Sequence, residues 1–259
     1  MRTILQRLGL LAGILALWQG LCLLNLWSRY LLPEPAQVAL ALREMLRSGE
    51  LAHHVLASLG RVLLGYGLAA AMGVCLGICT ALLPRLSHFF APLARFLRAV
   101  PPLGLTPLLI LWLGIGEGAK IAVIFLSAFF PVLSATTAGV LGCDQQLREV
   151  GKAFGLSPAA VLRHIVLPSA LPSIGAGLCL GLGYAWRAII GAEMIAAASG
   201  LGYLVLDAQA MARTDKIIAG ILVIGLLGLL LDWLLCRIQR HFRLSIPPQA
   251  SGKTAERKP

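Results

Sequence analysis

Two charged residues stand in an otherwise apolar stretch: Arg187 and Glu193 both fall between Pro172 and Ala197. Ionised side chains are costly in hydrocarbon unless they face protein, water or one another, so such residues mark either an ion pathway or a structural bond. Their spacing of six residues leaves them about 120 degrees from a shared helix face, which disfavours a direct pair. Two roles are open to Arg187, lining an anion pathway or making a structural or headgroup contact. Glu193 is carried as a second pathway residue.

The other chemistry-bearing constellations are weaker. Cys75 and Cys79 share a helix face at i, i+4, but two thiols without a third ligand read as packing residues. His53 and His54 are adjacent, point apart on a helix and find no third ligand, so they read as solvated. Ser251, Gly252, Lys253 and Thr254 imitate the end of a phosphate-binding loop, yet Pro247 stands where its first glycine belongs and no strand precedes it. Gly114, Gly116 and Ala119 form a dinucleotide-like string, again without a preceding strand, and read as a tight turn. Asp232 reads as a packing or interface residue. With no acid/base pair, nucleophile constellation or metal cluster, the sequence predicts neither a catalytic nor a metal site.

The elements that must hold these residues follow from composition. Of 259 residues, 58% are apolar and 13% charged, against about 25% charged in an average soluble domain. The apolar residues collect into long charge-free runs, which makes the chain an integral membrane protein. The net charge of +11 would suggest nucleic acid in a soluble chain. Here the basic residues sit in the short segments between apolar runs, with no basic face interleaved with aromatics, so no nucleic-acid partner is expected. Six cysteines lie in or at the end of apolar runs and form no disulfide framework.

A membrane crossing takes about 20 apolar residues. Six segments qualify, roughly Leu8 to Trp27, Val62 to Leu83, Leu103 to Gly116, Ile121 to Leu141, Pro172 to Ala197 and Ile217 to Cys236. The fold class expected is therefore all-α integral membrane, with six transmembrane helices. Arg2 and Arg7 precede an apolar run longer than a signal-peptide core, so that run is expected to remain as the first span. With both termini inside, 14 of the 22 Lys and Arg residues lie in inner segments, 6 in outer segments and 2 in spans, which favours cytoplasmic termini. Residues 1–55 form the first span and an outer segment, 56–243 the main transmembrane domain, and 244–259 a polar, proline-containing tail expected to be disordered. No internal repeat is evident, so an inverted-repeat secondary transporter finds no support. Gly73 and Gly77, and Gly177 and Gly181, have the spacing that lets helices approach closely.

The inner loop 143–171 carries the sharpest signal. It reads DQQLREVGKAFGLSPAAVLRHIVLPSALP and predicts two short helices meeting at a corner. Asp144 can cap the first, and Gly155 suits the left-handed position beyond its end. Ser157 can cap the second, with Pro158 in its first turn, while Pro168 and Pro172 are expected to end it and start the next span. Leu147, Val150 and Phe154 form an apolar stripe at i, i+3, i+7, with Arg148, Glu149 and Lys152 off it. Such a stripe fits either a membrane surface or a partner groove.

At this loop the sequence resembles the permease subunits of ABC importers, whose motif reads Glu-Ala-Ala, three residues, Gly, nine residues, Ile, one residue, Leu-Pro. Glu149, Gly155, Ile165, Leu167 and Pro168 occupy the matching positions, and Val150 and Gly151 replace the two alanines. Gly151 inside a helix costs about 0.5 to 1 kcal/mol relative to Ala. The strings AVPPLGLTPLLILWLGIGEGAK (Ala99 to Lys120), AFFPVL (Ala128 to Leu133) and GAEMIAAASGLGYLV (Gly191 to Val205) resemble the nitrate, sulfonate and taurine branch. The likeness runs from about Leu56 to Phe242.

This resemblance implies a subunit that works in pairs, binds an ABC ATPase at each cytoplasmic helix-turn-helix coupling loop, and receives substrate from a periplasmic or extracellular substrate-binding protein. ATP and Mg would be bound by the partner, and this chain would hold no cofactor. The implied activity is import of a small anion of the aliphatic sulfonate, taurine or nitrate class across the inner (plasma) membrane. The loop residues Leu147, Glu149, Val150, Phe154, Gly155, Ile165, Leu167 and Pro168 would dock the ATPase, with Glu149 as polar anchor and Gly155 as corner. The competing reading is an ion-gradient secondary transporter that uses its own intramembrane charges.

Overall fold

A computed structural model of the chain describes residues 2–24, 28 and 30–243. The elements are α1 (Arg2–Leu23), α2 (Pro35–Arg47), α3 (Glu50–Leu82), α4 (Pro84–Ala99), a 3-10 turn (Pro102–Leu105), α5 (Thr106–Leu113), α6 (Glu117–Leu141), α7 (Gln145–Ala153), α8 (Pro158–Val161), a π turn (Leu162–Val166), α9 (Leu167–Ala196), α10 (Leu201–Ala210) and α11 (Thr214–Arg243). No strand occurs among the described residues. The tail 244–259 lies outside them.

Four helices are long and apolar enough to cross a bilayer: Glu50–Leu82, Glu117–Leu141, Pro158–Ala196 and Thr214–Arg237. The segments Arg85–Ala99 and Pro102–Leu113 make a fifth, broken candidate bent by 86°, and α1 contains a shorter apolar helix, Ala12–Leu23. The segment expected to span from Leu103 to Gly116 is thus not one helix. Its helical core, α5, has 8 residues and rises only about 12 Å. Pro101 and Pro102 withhold backbone donors and turn Val100 out of the helical region, while Gly114, at φ +79°, closes the other end. Helix α3 also starts earlier than its apolar run, at Glu50 rather than near Val62.

Helix α6 sits between α3 and α9, and small residues make that sandwich close. Lipid is as apolar as a leucine side chain, so contact rather than water exclusion holds such helices together. A Cβ placed on Gly77 would lie 2.6 Å from Thr136 Cβ, and one on Gly177 only 2.4 Å from Ala135 Cβ. Gly73 and Gly181 meet opposite methyls of Val132 at comparable range. Helix α11 joins through Trp186, whose Nε1 donates to the Ile224 carbonyl at 3.2 Å. The amphipathic α2 lies across one end, burying Val38, Ala41 and Met45. Ion pairs of Arg213 with Glu44 (3.4 Å) and Lys216 with Glu50 (2.9 Å) fasten that end. Hydrogen bonds that Arg213 donates to Asp215, joined by one to Glu44, hold its guanidinium above its ordinary pKa.

Candidate functional site

The loop after α6 folds from local instructions. Asp144 accepts a hydrogen bond from the Gln146 backbone N–H at 2.9 Å, capping α7. Gly155 takes φ +73°, the left-handed geometry that turns the chain after α7, and Ser157 accepts from the Ala160 N–H at 3.3 Å to start α8. Arg148 donates to the Val140 carbonyl, tying α7 to the end of α6. The stripe on α7 faces outward: Leu147 is 46% exposed, Val150 52% and Phe154 82%. Glu149 is exposed beside it and accepts from Gln145 Nε2 at 2.9 Å.

Two details differ from the sequence reading. Pro168 and Pro172 do not end the second helix, because α8, the π turn and α9 run on as one helical stretch from Pro158 to Ala196. Pro168 falls in the first turn of α9, just after the widened π turn has shifted the hydrogen-bond register, so its missing N–H falls at a register change. Gly151, expected only to weaken α7, is buried where α7 meets this stretch. A Cβ there would lie 2.5 Å from Ile165 Cδ1 and 3.3 Å from Val161 Cγ2. The motif's Ile165 therefore supports α7 from behind, while Leu167 and Pro168 are half-buried at the root of α9.

The two residues expected along the pathway occupy different places. Arg187 is exposed on α9 and lines a cavity of about 650 Å³ with Arg98, Ser127, Ser134 and Tyr184, walled by Pro101, Leu103 and Phe130 among others. Glu193 does not line it. Its side chain has no exposure and accepts from Ser58 Oγ (2.9 and 2.8 Å), Arg61 Nη1 (2.7 Å) and the Gly202 N–H (3.0 Å).

That carboxylate is the centre of a network the sequence reading missed. Arg61 on α3 also grips Glu117 at the start of α6 in a two-pronged pair, Nε to Oε2 at 2.6 Å and Nη2 to Oε1 at 2.9 Å. Lys120 donates to the same carboxylate at 2.8 Å. Arg61 further donates to the Ser199 carbonyl and Oγ, and Ser58 accepts from the Leu201 N–H at 2.8 Å. His54 is not simply solvated: its Nδ1 accepts from the Gly200 N–H at 3.0 Å, which requires that nitrogen to be unprotonated. The Gly-Leu-Gly run fits because Gly200 and Gly202 have no Cβ, which would meet the Glu193 carboxyl carbon and the Ile190 carbonyl oxygen at 2.2 Å each. Two signals were available, the carboxylate of Glu193 inside one apolar run and a lone cation, Arg61, at the edge of another. Its partners lie 56 and 132 residues away, beyond any local spacing. Among the described residues no group of side chains could hold a metal.

Comparison with known proteins agrees with this architecture. Residues 73–244 match the family described as binding-protein-dependent transport system inner membrane component. The chain is 37% identical over 245 residues to the taurine transport system permease protein TauC of Escherichia coli (strain K12), covering 93% of this chain and 89% of that one. It is 41% identical over 178 residues to the bicarbonate transport system permease protein CmpB of Synechocystis sp., covering 68% and 64%. In fold it is similar to a chain of the inward-facing MetNI methionine ABC transporter, with TM-score 0.62, 18% identity and coverage of 71% and 92%. Membership implies ATPase and substrate-binding partners, and a transport role rather than an enzymatic one. The chain belongs to the binding-protein-dependent transport system inner membrane component family, the membrane-embedded permease subunits of ABC transporters.

Proposed function

We propose that the chain is the permease of an importer that carries a small anion, of the taurine, aliphatic sulfonate or nitrate class, into the cytoplasm. Two copies pair, each with six crossings: α1, α3, the bent α4–α5 pair, α6, α9 and α11. Both termini are cytoplasmic, as the distribution of Lys and Arg favours. The observation that carries the reading is α7, an amphipathic helix whose apolar stripe has no cover and whose back is braced by Ile165. A partner ATPase docks there through Leu147, Val150 and Phe154, with Glu149 as anchor and Gly155 as corner, and supplies ATP and Mg. Nucleotide-driven closure of two ATPases displaces α7, and the bracing through Ile165, Leu167 and Pro168 passes the displacement to α9. Relatives named for transport of taurine, which carries a sulfonate head, and of bicarbonate support a cargo with an anionic head.

Reconstitution separates this from an ion-gradient carrier. Uptake into vesicles is expected to need the ATPase, ATP and the binding protein together, and to fall when Glu149 is reversed in charge. Uptake by this chain alone under a proton or sodium gradient would refute the proposal.

A further inference from the structure

Among the described residues Arg61, Lys120, Arg213 and Lys216 each meet a carboxylate at 2.6 to 2.9 Å. Arg98 and Arg187 are among the described cations that meet none, and these two line the 650 Å³ cavity. Among the described residues Arg98 has one polar partner, Ser134 Oγ at 3.4 Å, and no acidic residue lines the cavity. Helix α9 carries Arg187 and α4 carries Arg98, with α6 between them supplying Ser134. A second cavity of about 270 Å³ shares Arg98 and Ser134 with the first and adds Arg95 and Thr137, again without an acidic group.

We propose that Arg98 and Arg187 form a binding station for a small anion, with Arg98 and Ser134 as the junction through which that anion passes to the second, Arg95-lined cavity. Unpaired cations against low-dielectric walls concentrate anions. A guanidinium offers flat, forked donors suited to the oxygens of a sulfonate, nitrate or carboxylate head. Ser134 accepts from Arg98 and so keeps its own proton to donate. The otherwise apolar lining, with a few convergent polar groups, is the composition of a small-molecule site. This station deepens the anion-import reading and rests on it, adding Arg98 and Ser134 to a pathway that the sequence placed at Arg187 and Glu193 and of which the cavity retains Arg187.

The test reads the cavity's charge directly. In the assembled transporter, embedded in pure phosphatidylcholine discs, a Ser134→Cys variant is labelled with a sulfonate-bearing thiol reagent and with a trimethylammonium one of similar size. The increment over the parent chain isolates position 134. Charged clefts enrich counter-ions about 10- to 1000-fold, so the anionic reagent is expected to react at least about tenfold faster. Adding Arg98→Gln and Arg187→Gln should bring the ratio toward one, whereas Arg98→Lys should keep it. Ethanesulfonate or nitrate should slow the anionic reaction. A ratio near one in the Ser134→Cys variant, or one unchanged by neutralising both arginines, would overturn the station. Slowing by added phosphatidylglycerol alone would assign the site to a lipid headgroup and overturn it as well. Labelling needs no ATP. Lost ATP-driven uptake with the charge ratio intact would therefore fault the import reading, and intact uptake with a ratio of one would fault the station.

Discussion

Replacing Glu193 by Ala tests the buried network at its centre. The carboxylate has no exposure and receives Arg61 Nη1 at 2.7 Å, Ser58 Oγ at 2.8 Å and the Gly202 N–H at 3.0 Å. Removing one partner of a buried ion pair costs about 3 to 5 kcal/mol, because the other charge loses its compensation. Arg61 keeps Glu117 and both Ser199 oxygens, so the loss should fall at the lower end, about 3 kcal/mol. At about 2 to 4 °C per kcal/mol for a chain of this size, that lowers the unfolding midpoint by about 6 to 12 °C. Glu193→Gln, which keeps the shape but faces donors with an amide, should cost roughly half as much. Arg61→Ala strands Glu193 and should cost about as much as Glu193→Ala, while the double variant should fall short of the sum by about 1 to 3 kcal/mol. Thermal unfolding of the purified transporter in detergent, followed by tryptophan fluorescence, measures all four. A midpoint within about 2 °C of the parent for Glu193→Ala, or strict additivity in the cycle, would refute the reading of these contacts as one coupled unit.

Gly202→Ala should be at least as damaging as Glu193→Gln, since its methyl would meet the Ile190 carbonyl oxygen at 2.2 Å; the same melting assay checks it, and an unchanged midpoint would contradict the packing of this turn. Gly77→Val should separate α3 from α6, where even a Cβ would lie 2.6 Å from Thr136, with a loss of about 1 to 3 kcal/mol visible as a lowered midpoint. Phe154→Ser should behave oppositely: the ring is 82% exposed, so stability should change by less than about 0.5 kcal/mol. Capture of the co-expressed ATPase on the tagged permease should nonetheless fall at least tenfold, and full capture would remove Phe154 from the docking surface.

Hydropathy was enough to find α3, α6, α9 and α11, because each contains a run of apolar residues long enough to be read without its neighbours. It misplaced the start of α3, since Glu50 and His54 look like an outer segment, and Arg61 like the edge of a span, until their partners are known. Those partners, Lys216, Glu117 and Glu193 on other helices and Gly200 just before α10, are distant in sequence, and no periodicity reports a contact between distant segments. The corner of the loop 143–171 was legible because Asp144, Gly155 and Ser157 act on the backbone within a few residues of themselves. Pro168 misled for the complementary reason. The rule that proline interrupts a helix assumes an unbroken α register, and a π turn alters that register just before it. Gly151 misled too, since helix propensity counts the cost of a missing side chain and is blind to Ile165 lying where that side chain would go.

The continuity across Pro168 has a mechanical consequence. From Pro158 to Ala196 the helical stretch has 39 residues, which at 1.5 Å per residue spans about 58 Å. Its first two turns lie against α7, where the missing Cβ of Gly151 lets that helix approach Val161 and Ile165. Its last turn holds Glu193, which is bonded to α3 through Ser58 and Arg61 and to the turn at Gly202. A force on α7 therefore enters one continuous helical rod, which is not equally stiff along its length. The far end of that rod is held by charge-assisted bonds in a buried site, where such contacts are strong and directional. Two flexible points lie along the route: the π turn, whose hydrogen bonding is the least regular in the stretch, and Pro172, which leaves one carbonyl of the helix without its usual donor. Both sit at the α7 end, so bending there is easier than at the Glu193 end. A displacement of α7 should accordingly swing the half of α9 nearest α7, with Arg187 and the cavity it lines lying between the hinge and the clamp.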